Sequence, residues 1–332
     1  MTKISIDKTG GGETPAGMPG ETPGGSGAGG MSGGGESGKA DNLGRTGKAG
    51  GVVRRPGFGA LRALRQGPLF VGAVVVLALL VLIAVFAPLI APYDPNAVDL
   101  SATLAGSTSD HLLGADQSGR DILSRLIHGA RTGLLGPLLV VVLSTALGIV
   151  FGVAAAWRGG WIDAVLSRSM DMMFAFPGLL IAILFVAVFG GGLTAPVIAM
   201  SVAYTPYVGR LVRSVAAQEK ARPYIESYRV QGWSGWTICV KHLIPNIAPT
   251  VLAQSAINFG YALMDLAALS YLGFGVQPPD SDWGSMINEG QSALLQNVLL
   301  PSFAPGVCIV VAVVAFGIVG EGIADRVAKR ER

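Results

Sequence analysis

Few side chains in this sequence have the types and spacing that chemistry needs. Gly33 to Lys39 reads GGGESGK, the spacing of a loop that cradles phosphates. Ala40 stands where such a loop places its Mg²⁺-binding Ser or Thr, and no strand-forming run precedes it, so the stretch is a decoy. His111, Asp116 and Asp121 could ligate a metal, but Arg120 and Arg125 share the segment and offer the carboxylates a simpler partner. An ordered lip outside the membrane is the better reading. Asp163 and Asp171 could relay a proton, yet both sit at the edges of apolar runs. Arg168, three residues before Asp171, predicts an ion pair on one helix face. Cys239 and Cys308 lie in segments of different character and imply no disulfide framework. Asp265 differs from these. It stands with Asn258 inside a long apolar run, where an ionisable residue is a functional hypothesis by default. It either lines a pathway or pairs and hydrates near the surface. There is no nucleophile constellation, metal cluster or complete nucleotide site, so the sequence predicts a protein that is no enzyme and needs no cofactor of its own.

The elements that hold these residues are set by composition. The chain has 332 residues, 51% hydrophobic and 14% charged, with positive mean hydropathy. That predicts an all-α integral membrane protein surrounded by lipid. The net charge of +3 is small and no basic–aromatic pattern accompanies it, which excludes nucleic acid as a partner. Residues 1–60 are rich in Gly, Ser, Thr and Pro, a composition that predicts a disordered tail. No apolar core follows the first basic residues, so the tail is not an ordinary secretory signal. Arg54, Arg55, Arg62 and Arg65, interleaved with Phe58 and Leu61, predict a short amphipathic helix on the membrane surface.

Residues 61–332 hold six expected spans: Leu69–Ala91, Thr132–Ala156, Met172–Phe189, Thr194–Val208 with a possible extension to Val212, Ile247–Tyr271 and Phe303–Val319. Gly148 and Gly152 are four apart and would let helices approach closely. If the N-terminus is cytoplasmic, only Arg120, Arg125 and Arg131 of the 24 Lys and Arg fall outside. The positive-inside rule therefore predicts both termini in the cytoplasm of a cell that carries the chain in its plasma membrane. Asp121 is suited to cap a helix running to His128, with Arg120 and Arg125 paired to Asp116 or Asp121. The 273–302 loop then faces outward. It is acidic through Asp280, Asp282 and Glu289, and Ser281 is expected to be accessible there.

A polar stretch between the fourth and fifth spans, about 219–246, is too short of apolar residues to cross a bilayer. Pro223 can begin a helix that runs to Gln231. Gly232 interrupts it, and a second short helix, Gly235 to His242, is expected to end before Pro245. Two short helices around a glycine hinge make a knob outside the bilayer, suited to gripping a soluble partner.

The order Glu226, Ser227, Tyr228, then Gly232, then His242 to Pro245 resembles the EAA signature of ATP-binding-cassette importer permeases. Members usually carry two alanines where this chain has Ser227 and Tyr228. HLLGADQSGRD, from His111 to Asp121, is similar to the HPLGTDxxGRD segment of C-type permeases of dipeptide and oligopeptide importers, a group that includes nickel transporters. DMMFAFP, from Asp171 to Pro177, looks like the same family. So does the stretch Leu272 to Pro279 (LGFGVQPP) with Trp283 and Gly284. The family usually has an acid where this chain has Leu266, one position after Asp265. The resemblance spans about residues 68–325. It implies a six-helix permease of type I importer architecture that forms half of a translocation pathway. It further implies a second homologous permease, two cytoplasmic ATP-binding subunits that bind the ATP, and an extracytoplasmic substrate-binding protein. Glu226, Ser227, Tyr228, Gly232, Ile244 and Pro245 would couple to the ATPases. His111, Asp116, Arg120, Asp121, Gln277, Pro278, Pro279 and Trp283 would form the outer loops. Asn258 and Asp265 would line the pathway. Peptides are the expected cargo, with a nickel chelate as alternative. An ion-gradient transporter or channel is the rival of another class, and a non-transporting membrane scaffold a third. Neighbouring genes for ATPases and a binding protein would separate the three.

Overall fold

A computed structural model describes residues 67–330, with side chains to Val327. The glycine-rich tail, the GGGESGK stretch and the basic flank Arg54 to Arg65 lie outside the described residues. Within them every regular element is helical, apart from one isolated bridge between Ala115 and Asp121.

α1 (Pro68–Val85) carries no charge, begins with Pro at its first turn and stops at Phe86, after which α2 (Ala87–Ile90) adds one turn. α3 (Ile122–Arg158) is the longest element, 37 residues or about 55 Å. Its N-cap is Asp121, whose side chain accepts from the Ser124 N–H. The helix expected to stop near His128 therefore runs unbroken into the second span. Pro137 sits inside it without ending it. α4 (Gly160–Phe174) and α5 (Gly178–Phe189) replace the single third span, which the sequence placed at Met172–Phe189. They meet at an 81° bend. Pro177 supplies no N–H and disfavours a helical residue before it, so the chain turns there. α6 (Thr194–Lys220) is 27 residues long. It extends well past Val208 because Pro206 is tolerated inside it.

α7 (Pro223–Val230) and α8 (Gly235–Ile238) form the knob. The second knob helix does not end before Pro245. A π turn, Cys239–Leu243, carries it directly into α9 (Ile244–Tyr271). Pro245 stands in the first turn of α9, where its missing N–H costs nothing. α10 (Trp283–Glu289) and α11 (Gln291–Leu294) fold the 273–302 segment, and α12 (Leu300–Arg330) closes the chain.

Three helices, α1, α3 and α12, are long and apolar enough to cross a membrane alone, and α4 with α5 makes a fourth candidate. α6 and α9 are long but more polar. Contacts fix their directions. α3 starts beside α10, where the Leu126 carbonyl accepts from Trp283, and ends beside the knob, where Trp157 meets Gly235. α6 runs parallel to α3. α9 returns from the knob to the α10 end, and α12 runs back beside it, Gly260 facing Val313 and Gly320 facing Ile257. Phe70 at the start of α1 meets Gly322 near the end of α12, so both described chain ends lie at the knob end of the bundle.

Side chains such as Leu79, Leu82, Leu184, Val188, Val310 and Val314 stay exposed on the outer face, an apolar belt that suits lipid. Two cores fill the bundle. One, around Leu134, Met200, Phe259 and Trp283, occupies its middle and the α10 end. The other, around Val153, Val212, Cys239 and Ile247, lies against the knob.

The most extensive helix contact joins α3 to α6, and it depends on glycine. A Cβ at Gly152 would stand 2.7 Å from the Gly209 carbonyl oxygen and 2.7 Å from Val212 Cβ. At Gly148 it would stand 2.9 Å from the Gly209 nitrogen. At Gly317, by contrast, nothing lies within 4 Å. Gly152→Ala should therefore cost about 1–3 kcal/mol through overpacking, whereas Gly317→Ala should be neutral or slightly stabilising because Ala is the better helix former. Thermal unfolding of the two purified variants checks the order, and equal behaviour would mean that α3 and α6 do not approach this closely.

Candidate functional site

At the α10 end, charge is buried in matched pairs. Arg125 is 1% exposed. It donates to Asp116 Oδ2 at 2.6 Å and to Glu289 Oε2 at 2.6 Å. Arg120 donates from Nε to the same Asp116 oxygen at 2.8 Å and also pairs with Glu289. Two guanidinium groups against two carboxylates offset the desolvation that an isolated buried charge could not survive. The expected pairing with Asp116 is present. Asp121 instead accepts from Ser124 and lies 3.0 Å from His111 Nδ1. Among the described residues no three His, Cys, Asp or Glu side chains come together as a metal-binding group.

Glu289 belongs to α10, so this cluster ties the segment before α3 to the segment after α9. Trp283 tightens the joint. It is buried, its Nε1 donates to the Leu126 carbonyl at 3.0 Å, and its ring lies on Gly129 and Gly133. Asp282 caps α10 by accepting from the Gly284 and Ser285 N–H groups. Burial pushes its carboxyl above the usual range, and the donors around it pull the other way. Gln277 donates to the Gly273 and Gly275 carbonyls and so holds its own turn together. Pro278, Pro279 and Asp280 remain exposed.

Ser281 is only 6% exposed, contrary to expectation. Its carbonyl accepts from Thr132, which draws it under the surface just before α10. The Arg168–Asp171 pair is likewise replaced: Asp171 pairs with Arg210 and Asp163 with Arg213, both pairs running from α4 to α6. Spacing along one helix lost to partners on the neighbouring one.

The knob is a rigid projection. Gly232 has φ +81°. Its N–H donates to the Arg229 carbonyl and the Trp233 N–H to the Tyr228 carbonyl, the paired bonds of a Schellman C-cap. The Tyr228 and Trp233 rings pack at 5.3 Å, supplying the apolar contact that accompanies such a cap. Tyr228 also stacks on His242 at 4.1 Å. Its ring thus faces the knob interior, and Tyr at this position is part of the hinge. Glu226 and Ser227 are exposed, as is Pro245; Ile244 is half-buried against the core below. Glu226 pairs with Arg229 at 3.4 Å across exposed surface, a contact worth little.

The roots of the knob were not foreseen. Glu219, at the end of α6, is 5% exposed. It accepts from the Tyr224 hydroxyl at 2.7 Å and from Asn246 Nδ2 at 3.1 Å, and pairs with Arg222 at 2.9 Å. One carboxylate therefore joins α6, α7 and α9. Burial, together with donation to Glu219, pushes the Tyr224 hydroxyl up to about 12, so it keeps its proton at neutral pH. Lys220 donates to the Ala156 and Trp157 carbonyls and caps α3. The Trp157 ring underlies Arg229 at 5.0 Å and packs against Gly235. Only a clustering of polar residues at the two edges of the knob hints at this network in the sequence.

Between knob and lip, a cavity of about 620 Å³ opens where α4 and α5 break, bounded by α6 and α9. Asn258 and Asp265 both line it, with Tyr204, Tyr207, Gln254 and Tyr261. The Tyr204 hydroxyl donates to Asp265 Oδ2 at 2.8 Å. Gln254 donates to Asn258 Oδ1 at 3.0 Å. Asn258 Nδ2 is buried and without a partner.

These positions set an accessibility test. With Cys239 and Cys308 replaced, a cysteine at exposed Asp280 should react quickly with a soluble maleimide in the folded protein, and one at Ser281 slowly. Equal rates would mean that the segment before α10 is not tucked against α3.

The comparisons agree with this arrangement. Residues 148–332 match the family described as binding-protein-dependent transport system inner membrane component. Residues 56–106 match the N-terminal TM domain of oligopeptide transport permease C. The glutathione transport system permease protein GsiD of Pectobacterium atrosepticum is 37% identical, over 80% of this chain and 87% of its own length. The dipeptide transport system permease protein DppC of Alkalihalophilus pseudofirmus is 33% identical over 80% of this chain and 87% of its own. Among solved structures, an inward-facing MetNI methionine ABC transporter chain aligns with a TM-score of 0.52 at 18% identity, covering 62% of this chain and 97% of that one. It shares the fold. The long helices, the projecting knob and these matches lead to one identification: the chain belongs to the binding-protein-dependent transport system inner membrane components, as a multi-pass permease subunit of an ABC importer.

Proposed function

We propose that this permease forms half of a peptide translocation pathway and that its knob receives the force of ATP hydrolysis. The observation that carries the reading is the knob itself. It is an exposed, capped pair of helices whose roots are bound to α3, α6 and α9 through Glu219, Tyr224, Asn246 and Lys220. A load applied there reaches the long helices without being absorbed by a loose loop. A second homologous permease would complete the pathway. Two cytoplasmic ATP-binding subunits would bind the ATP and dock at the knobs. An extracytoplasmic binding protein would deliver cargo at the α10 end.

The charge distribution supports a cytoplasmic knob and cytoplasmic termini. A cysteine at Asp280 should then react with an impermeant reagent from outside the cell. Labelling from the cytoplasmic face alone would reverse the topology. The glutathione and dipeptide permeases among the relatives favour peptides over a nickel chelate as cargo. An ion-gradient mechanism would need a relay of ionisable groups across the bundle, and among the described residues Asp265 is the one carboxylate lining the cavity.

Gly232 gives the decisive variant. No atom lies within 4 Å of a Cβ added there, so the position is open around the backbone. The penalty of Gly232→Val is the positive φ, about 1–2 kcal/mol. The spans should insert normally while the hinge distorts. In the reconstituted complex, uptake should fall, with the ATPases either lost or hydrolysing ATP without transport. Full ATP-dependent uptake by Gly232→Val would remove the coupling role from the knob.

We also assign residues 1–52 no part in assembly. A chain starting at Val53 should insert and form the complex at normal yield, and loss of the complex would refute this.

A further inference from the structure

The polar face of α9 inside the cavity has the layout of a binding site. Gln254, Asn258, Tyr261 and Asp265 are spaced by four, three and four residues, which puts them on one stripe of the helix. All four line the cavity. At one end stands Asp265, held by a single hydrogen bond from Tyr204. A carboxylate offers roughly four lone-pair sites, so most of its accepting capacity faces the cavity unused. At the other end Gln254 donates to Asn258 Oδ1 at 3.0 Å, and Asn258 is 5% exposed.

Charge and shape narrow the occupant. Among the described residues no lysine or arginine lines the cavity. The nearest guanidinium, Arg210, lies over the Phe174 ring at 4.0 Å but is already paired with Asp171. Tyr204, which touches the carboxylate, and Tyr207, Tyr261 and Phe174 present aromatic surface in the same cavity. Aromatic faces beside a carboxylate favour a primary ammonium. Asp265 and Asn258 are seven residues apart, about 10 Å along the axis, the reach of two to three extended peptide residues. The volume of about 620 Å³ falls within the range of small-molecule sites.

We infer that the permease itself holds a transit subsite for short peptides, with Asp265 taking the protonated amino terminus and the polar stripe back to Asn258 running beside the rest of the peptide over about 10 Å. Tyr204 positions the Asp265 carboxylate. This rests on the peptide-permease reading above and adds the chemical group that the pathway recognises.

The probe is radiolabelled trialanine, with N-acetyl-trialanine as its uncharged counterpart. Binding is measured by scintillation proximity on the purified complex of permeases and ATPases in lipid nanodiscs, without nucleotide and without the binding protein. The intact complex should bind trialanine and discriminate against the acetylated probe. Asp265→Asn, isosteric and still able to accept from Tyr204, should weaken trialanine binding roughly ten-fold, as expected on losing a charge-assisted hydrogen bond. It should leave the weak acetylated binding unchanged, while Asp265→Glu retains most of the discrimination. The inference is overturned by absence of trialanine binding to the intact complex, by equal affinity for the two probes, or by equal trialanine binding in the Asp265→Asn complex. The last two results are also expected if a cation of the second permease already neutralises Asp265. If Asp265→Asn fails to assemble, the comparison of probes on the unaltered complex still decides. Because no step here uses ATP, failure leaves the coupling role of the knob intact, and an uncoupled knob leaves this binding unaffected.

Discussion

The contact on which the structure depends is the close approach of α3 to α6 at Gly148, Gly152 and Gly209. In a bilayer, lipid tails are as apolar as leucine, so helices gain little by merely hiding apolar surface. What holds them is dense packing, and missing side chains permit it. The resulting pair of parallel helices spans the whole bundle. Its one end carries Arg125, Gly129 and Gly133, against which α10 rests. Its other end carries Trp157, Glu219 and Lys220, on which the knob rests. Lip and knob are about 50 Å apart, yet both are anchored on α3.

Polar groups follow from the same constraint. A buried charge must be paired, and a buried donor must be satisfied. At the lip, Arg120 and Arg125 meet Asp116 and Glu289. At the knob, Glu219 meets Arg222, Tyr224 and Asn246. Along α4, Asp163 and Asp171 meet Arg213 and Arg210. Apart from Arg120 and Asp116, which share one loop, the partners come from different segments, so neutralising charge and joining segments are one act. Asp265 breaks the pattern: it lines a cavity and has one hydrogen bond, from Tyr204.

Local chemistry was legible in the sequence where it is local in space. The Gly232 hinge could be read because a Schellman cap needs only a glycine just past a helix end. Asp121 as an N-cap could be read for the same reason. The Asp116 pairing lies within one loop. Glu289 as the second partner of Arg125 could not be read, because it comes from a segment more than a hundred residues away. The Arg168–Asp171 expectation failed because an exposed pair on one helix is weak and a neighbouring helix offered better partners. Ser281 was expected on an open loop, but Asp282 and Trp283 turn that loop into a capped helix drawn onto α3. Proline was the least informative residue: Pro137 and Pro206 ride inside helices, Pro245 begins one, and Pro177 marks the 81° break of a span.

That last break gives the cavity its polarity. α5 has 12 residues, about 18 Å, too short to cross a hydrocarbon core of about 30 Å by itself. The chain makes up the distance with α4, joined at the 81° bend. A bend of this kind leaves carbonyls at the end of one helix and N–H groups at the start of the next without helical partners. Such backbone is tolerated at membrane depth only where it is buried in protein or borders a water-filled space. Phe176, Pro177 and Gly178, the residues of the break, border the cavity, and the polar stripe of α9 borders it as well. The broken helix requires a polar compartment, and the stripe from Gln254 to Asp265 provides one. Neither would be stable facing lipid, and together they border a polar cavity inside an otherwise close-packed bundle, with the Asp265 carboxylate on its wall.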